Sequence, residues 1–177
     1  NKYRFEAAVR LGKEHGAMAV RAYSHVCKVY ATTTDIFKAC QQVLFEGDID
    51  VVSEVTAAPR VYGEDLNLFH ESVAIRKKHG TEGLTSYKTV CERCARTANL
   101  FPAYMQLIEQ KKYSICNQLS RENYIAACAD RRLVFDHLLT FLDQDQAAKA
   151  DFLVTIRAIY TPDESNLERV VAFMEDT

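Results

Sequence analysis

Apolar residues recur along this chain at two spacings, one suited to helices and one to strands. In YRFEAAVRLGKEH they return at helical intervals, and Gly16 ends the run. AVRAYSHVCKVY, residues 19–30, reads as a strand. Thr32 to Asp35 gives a T-x-x-D cap signal ahead of DIFKACQQVLF, a helix over 35–46 with Ile36, Cys40, Val43 and Leu44 inward. Gly47 and Asp48 then turn the chain into IDVVSEV, a second strand. EDLNLFHESVAIRKKHG reads as a helix stopped by Gly80, and SYKTVCERCARTANLFPAYMQLIEQ as a longer one kinked at Pro102. ENYIAAC, 122–128, is short and apolar enough for a strand. Asp130 caps a helix over 131–143, where Leu133, Val134, His137, Leu138, Phe141 and Leu142 recur at helical spacing. In DFLVTIRAIY, Phe152, Val154, Ile156, Ala158 and Tyr160 alternate with Thr155 and Arg157, the pattern of a strand. Thr161, Pro162 and Glu164 form a capping box for a last helix over 162–175.

This order predicts two βαβ units, over 18–56 and 122–160, separated by a helical insert over 64–110. Two split βαβ halves define a ferredoxin-like α+β fold with about four strands. Its two free edges need cover, and a second copy would supply it in a symmetric dimer, as in a closed barrel. The two units share an order of elements but no repeated residues.

Composition narrows the classes. The chain has 177 residues, which fits one domain with a sizeable core. The net charge of −2 gives no global attraction for a polyanion, so any nucleic-acid surface must be a local patch. The six cysteines follow no dense framework and read as reduced thiols of an intracellular protein. No apolar run approaches the ~20 residues of a membrane span, and no signal peptide is visible. The chain opens at Asn1 inside a helical pattern, as a domain excised from a longer protein does.

Three stretches carry a resemblance: ATTTDIFKACQQVLF, TVCERCARTANLF and NYIAACADRRLVFDHLLTFLDQDQAAKADFLVTIRAIYT. In pattern and spacing the chain resembles the C-terminal domain of the betaherpesvirus immediate-early 2 transactivators, on the roseolovirus side. The resemblance implies a single C-terminal DNA-binding and dimerisation domain over 1–177. It implies a homodimer built on a β-barrel-type DNA-binding core. It further implies a transcription activator of the host cell nucleus that contacts basal transcription factors. The His-containing stretch of the cytomegalovirus members has no counterpart here, so no metal is carried over.

In barrels of that type the helix after the first strand enters the DNA major groove. On helix 35–46 the outward face holds Lys38, Gln41 and Gln42, with Thr33 and Thr34 at its start. Gln pairs with adenine edges, Thr meets thymine methyls or phosphates, and Lys reaches guanine or phosphate. Asp35 and Glu46 oppose DNA, and the bland reading is a solvated face. Arg76, Lys77 and Lys78, in RKKH, form the densest basic cluster and are candidate phosphate contacts, although their place at a helix C-terminus is enough to explain them without a ligand. Arg131 and Arg132 start a helix, where cations are disfavoured, which makes a phosphate or acidic partner slightly more attractive, but plain solvation is the preferred reading. Val154, Ile156, Ala158 and Tyr160, on the last strand, are assigned to the dimer interface. Cys91 and Cys94 with Cys116 and Cys128 have the residue types of a zinc site. Cys91 and Cys94 lie three apart on a helix, however, so buried thiols are the better reading. No catalytic pairing, phosphate loop or cofactor motif is present, so no enzyme and no cofactor is expected.

These readings give a transactivator domain that homodimerises, binds double-stranded DNA and contacts host basal transcription factors, with no membrane role. The rival is a protein-interaction module without DNA binding, which the near-neutral charge favours.

Overall fold

A computed structural model describes residues 2–57, 65–159 and 164–175, and every regular element among them is a helix. In chain order they are α1 (Lys2–Val29), α2 (Asp35–Phe45), α3 (Ile49–Thr56), α4 (Leu66–Arg93), α5 (Phe101–Glu109), α6 (Tyr113–Leu119), α7 (Glu122–Cys128), α8 (Arg132–Asp143), α9 (Ala147–Ile159) and α10 (Glu164–Glu175).

The expected α+β fold is therefore wrong: no strand occurs among the described residues, so there is no ferredoxin-like sheet and no β-barrel core. All four expected strands are helices, and their buried residues say why. Ala19, Ala22, Tyr23 and Val26 are buried in α1; Val51, Val52, Val55 and Thr56 in α3. Tyr124, Ala127 and Cys128 are buried in α7; Ala150, Leu153, Val154 and Arg157 in α9. Each set follows the three- and four-residue steps of a helix. In α9 the alternating set does not share a face: Phe152 and Ala158 are exposed, Ile156 is half-buried and Val154 is buried, while Tyr160 lies outside the described residues.

The helices read from sequence over 35–46 and 131–143 are present as α2 and α8, and the described part of 162–175 is α10; Thr161 and Pro162 of the expected capping box lie outside the described residues. The long helix expected to kink at Pro102 is instead two, α4 ending at Arg93 and α5 beginning at Phe101 with Pro102 in its first turn. Asp130, expected to cap α8, caps α5 from a distance: its carboxylate accepts from the Asn99 and Leu100 amides, both at 3.1 Å.

α1 and α4 are each two arms joined at a glycine, Gly16 (φ 80°, ψ −172°) and Gly80 (φ 71°, ψ −165°). This corner of backbone space is essentially restricted to glycine. At Gly16 the chain doubles back. A Cβ on Gly12 would lie 3.2 Å from Val20 Cγ2, although eight residues of straight helix span ~12 Å.

Three further turns share one hydrogen-bond pattern. The Asp48, Lys112 and Gln146 amides donate to the Val43, Leu107 and Phe141 carbonyls. The Gly47, Lys111 and Asp145 amides donate to Leu44, Ile108 and Leu142. These are Schellman closures, each with a left-handed residue: Gly47 (φ 91°), Lys111 (φ 60°) and Asp145 (φ 56°). They fold α2 onto α3, α5 onto α6 and α8 onto α9.

The hairpins are copies of one pattern. Ile36-Phe37, Leu100-Phe101 and Val134-Phe135 stand at the same distance before the three turns, and Cys40, Tyr104 and Leu138 three residues after each phenylalanine. All nine side chains are buried. Arg4-Phe5 and Leu68-Phe69 extend the series into α1 and α4, so Phe5, Phe37, Phe69, Phe101 and Phe135 recur about 32 residues apart. α1 and α4 also match at one constant offset: Val9 with Val73, Lys13 with Lys77, His15 with His79, Gly16 with Gly80, Tyr23 with Tyr87, Val26 with Val90 and Cys27 with Cys91. Among the described residues one helical-hairpin pattern therefore recurs in tandem, a repeat that the sequence reading missed.

Two compact units divide the chain, Asn1–Leu84 and Thr85–Thr177. In the first, α1, α2 and α3 pack together, pegged by His15 Nε2 at 3.1 Å from the Phe45 carbonyl and His25 Nε2 at 3.2 Å from that of Thr56. In the second, α6 and α9 both pack on α8, with the Tyr104 and Phe135 rings edge to face at 5.1 Å. There the Tyr104 hydroxyl donates to the Leu119 carbonyl, and buried Arg157 donates from Nε to that of Ala127.

Candidate interaction surface

In the first unit, α1 and α2 frame a shallow groove of about 200 Å³ lined by Tyr3, Glu6, Ala7, Arg10, Gln41 and Phe45. Both helices place these residues at three- and four-residue steps, so they form one stripe on each. The Tyr3 hydroxyl donates to Gln41 Oε1 at 3.0 Å across the groove. The Arg10 guanidinium lies 4.6 Å from the Phe45 ring centre and is anchored by Glu14 at 2.8 Å. The groove thus offers an aromatic floor, one cation, one carboxylate and two amphipathic hydrogen-bonding groups.

Of the residues expected to read DNA, Gln41 lines this groove, and several of the others are engaged within the chain. Thr34 is the N-cap of α2: its hydroxyl accepts from the Phe37 amide and donates to the Ala31 carbonyl at 2.7 Å. Lys38 holds Asp35 at 2.9 Å, and that contact keeps the Asp35 carboxyl below its ordinary range. Gln41, expected outward, is buried against Tyr3, and Gln42 donates to Glu46 at 3.1 Å. Thr33 is exposed in the loop before α2.

The basic cluster of α4 faces the acidic side of the α2–α3 hairpin. Arg76 makes two hydrogen bonds to Glu54, at 2.7 and 2.8 Å. Lys77 reaches Asp48 at 2.6 Å and Glu46 at 3.5 Å. Hydrogen bonding to these carboxylates raises the pKa of both cations. Lys78 is exposed nearby. Arg132 pairs with Asp136 one turn along α8, and Arg131 is the exposed N-cap residue before it.

The four cysteines weighed as zinc ligands do not assemble. No group of three or more metal-ligating side chains exists among the described residues. Burial pushes the Cys116 and Cys128 thiols up to about 12, and Cys94 is raised by burial and by Asp130. At neutral pH these are protonated core thiols.

Sequence reasoning missed Tyr3, Arg10, Glu54 and Asp48. The signal that locates them is the phenylalanine series, because it puts α1, α2 and α4 in one repeat frame. No helix among the described residues is long and apolar enough to cross a membrane. No protein family, no curated protein and no solved structure matches this chain.

Proposed function

We propose that this chain is a recognition scaffold of tandem helical hairpins that binds a protein partner, with no catalytic role. The observation that carries the reading is the recurrence of one hairpin at Phe5, Phe37, Phe69, Phe101 and Phe135. Repeats of this kind build extended surfaces from many equivalent side chains, and such surfaces serve recognition. The groove of Tyr3, Glu6, Arg10, Gln41 and Phe45 is the contact site assigned to an extended segment of the partner. Its mix of aromatic, amide and single charges suits a polypeptide better than a phosphate backbone, which calls for several uncommitted cations.

Charge supports the same choice. The net charge is −2, and Lys38, Arg76, Lys77 and Arg132 each neutralise a carboxylate of this chain. Binding duplex DNA through them requires breaking those pairs.

Parallel selections from a random peptide pool and a random duplex DNA pool test the proposal. Peptides should be enriched, lost with Arg10→Glu, and retained with the Lys38→Glu, Gln42→Ala pair. Enrichment of a two-fold DNA sequence that the latter pair abolishes would overturn the reading in favour of a dimeric DNA reader.

A further inference from the structure

Four of the five equivalent phenylalanines are core residues: Phe37 is 1% exposed, Phe69 0%, Phe101 9% and Phe135 0%. Phe5 is 71% exposed. The difference extends along its helix. Val9 is 38% exposed, whereas its counterpart Val73 is buried, and Lys13 is exposed where its counterpart Lys77 pairs with Glu46 and Asp48. Phe5, Val9 and Lys13, with Glu6, Arg10 and Glu14, line a hollow of about 300 Å³ on the outer side of α1. The equivalent arm of α4, residues 66–79, is instead joined to the α2–α3 hairpin through Arg76, Lys77 and the carboxylates of Glu46, Asp48 and Glu54.

We infer that the outer face of α1, centred on Phe5 and Val9, is a docking surface for one further helical hairpin of the α2–α3 kind, carrying carboxylates at its turn. The repeat itself names the occupant: the same face, one α4 further along, meets such a hairpin in this chain. Phe5 and Val9 supply the apolar contact, and Lys13 receives the turn carboxylates as Lys77 does. A second copy of this chain fits less well. Its own α2–α3 hairpin is already joined to α4. In its last hairpin Gln144, Gln146 and Phe152 take the places of Glu46, Asp48 and Glu54, so none of the three matched positions offers Lys13 a carboxylate, and the nearby Asp143 is paired with Lys112. The inference rests on the repeat geometry and not on the binding partner proposed above.

The chain contains no tryptophan, so Phe5→Trp introduces a single fluorescent reporter. In the chain as it stands the reporter should emit as a water-exposed indole and be readily quenched by acrylamide, in a monomer by light scattering. Placing a copy of residues 34–65 directly ahead of Lys2 reproduces the connection of α2–α3 to α4. In that extended protein the emission should shift to the blue, quenching should fall several-fold, and the melting midpoint should rise by roughly 5 °C. Changing the residues of the added copy that match Glu46 and Asp48 to lysine should reverse most of the gain. A folded extended protein with unchanged emission and quenching overturns the inference. So does a reporter already buried in a dimer of the unextended chain, which would make the second copy the occupant. A second test needs no extension: Phe5→Ser with Val9→Ser should leave the melting midpoint of the chain within about 2 °C. A large fall would mean that these residues belong to the internal core.

Discussion

Arg76 grips Glu54 with two parallel hydrogen bonds, Nε to Oε2 at 2.7 Å and Nη2 to Oε1 at 2.8 Å. The pair joins α4 to α3, and its side chains are 21% and 32% exposed, enough burial for the geometry to matter. Arg76→Ala and Glu54→Ala, combined in a double-mutant cycle by urea unfolding, should give a coupling of about 1 kcal/mol. Arg76→Lys should keep less than half of it, because an ammonium cannot match both oxygens. A coupling indistinguishable from zero would reduce the pair to a surface contact.

The two hinge glycines should tolerate no side chain. A Cβ at Gly16 or Gly80 would meet nothing within 4 Å, so any cost of Gly→Ala there is a backbone cost alone. With φ of 80° and 71° and ψ near ±170°, each substitution should destabilise by about 1 to 3 kcal/mol. Alanine at Gly12, which faces Val20 at 3.2 Å, tests steric approach instead.

Much of the helical content was legible in the sequence, but its arrangement was not. α2 announced itself through the T-x-x-D signal of Thr32 to Asp35, although Thr34 is the residue that caps it, and through the spacing of Ile36, Cys40, Val43 and Leu44; α8 did so through Val134, Leu138, Phe141 and Leu142. α9 did not, because Val154, Thr155 and Ile156 are β-branched and Phe152 to Ala158 alternate. Yet Ala150, Leu153, Val154 and Arg157, the set the fold buries, also lay in the sequence at helical steps. A short apolar run satisfies both periods, and β propensity yields to packing context. The repeat was hidden for a related reason. Only one of its three Schellman turns carries glycine; Lys111 and Asp145 take the left-handed position in the others. The proposed groove was out of reach, since the Tyr3–Gln41 and Arg10–Phe45 contacts depend on how α1 lies on α2.

Those same turns allow a stabilising substitution. Lys111 holds φ at 60°, a conformation that costs a residue with a Cβ roughly 1 kcal/mol or more. Lys111→Gly should raise stability by about 0.5 to 1 kcal/mol, read as a higher urea midpoint at unchanged slope. Gly47→Lys, the reverse change at the equivalent turn, should lower it; a Cβ there also approaches His15 at 3.3 Å.

Buried thiols and phenols set the alkaline limit. Burial raises Cys40, Cys116 and Cys128 from 9.0 to about 12, and Tyr30 from 10.0 to about 12. The folded state keeps these protons where the unfolded chain releases them. Their contribution is therefore complete below about pH 9 and is lost as pH climbs toward about 12. Urea midpoints should fall steadily over that window, and Cys116→Ala should flatten the slope. At pH 8, iodoacetamide should label the half-buried Cys27 and Cys91 of the folded protein first and spare Cys40, Cys116 and Cys128.

The repeat itself is tested most directly by one series of unfolding measurements on Phe→Ala variants at positions 5, 37, 69, 101 and 135. Loss of a buried phenylalanine costs about 3 to 5 kcal/mol. Positions 37, 69, 101 and 135 should each fall in that range, and position 5 should change stability by less than about 0.5 kcal/mol. A cost at position 5 equal to the others, or near-zero costs at several of the other four, would contradict a tandem helical-hairpin fold with an open first face.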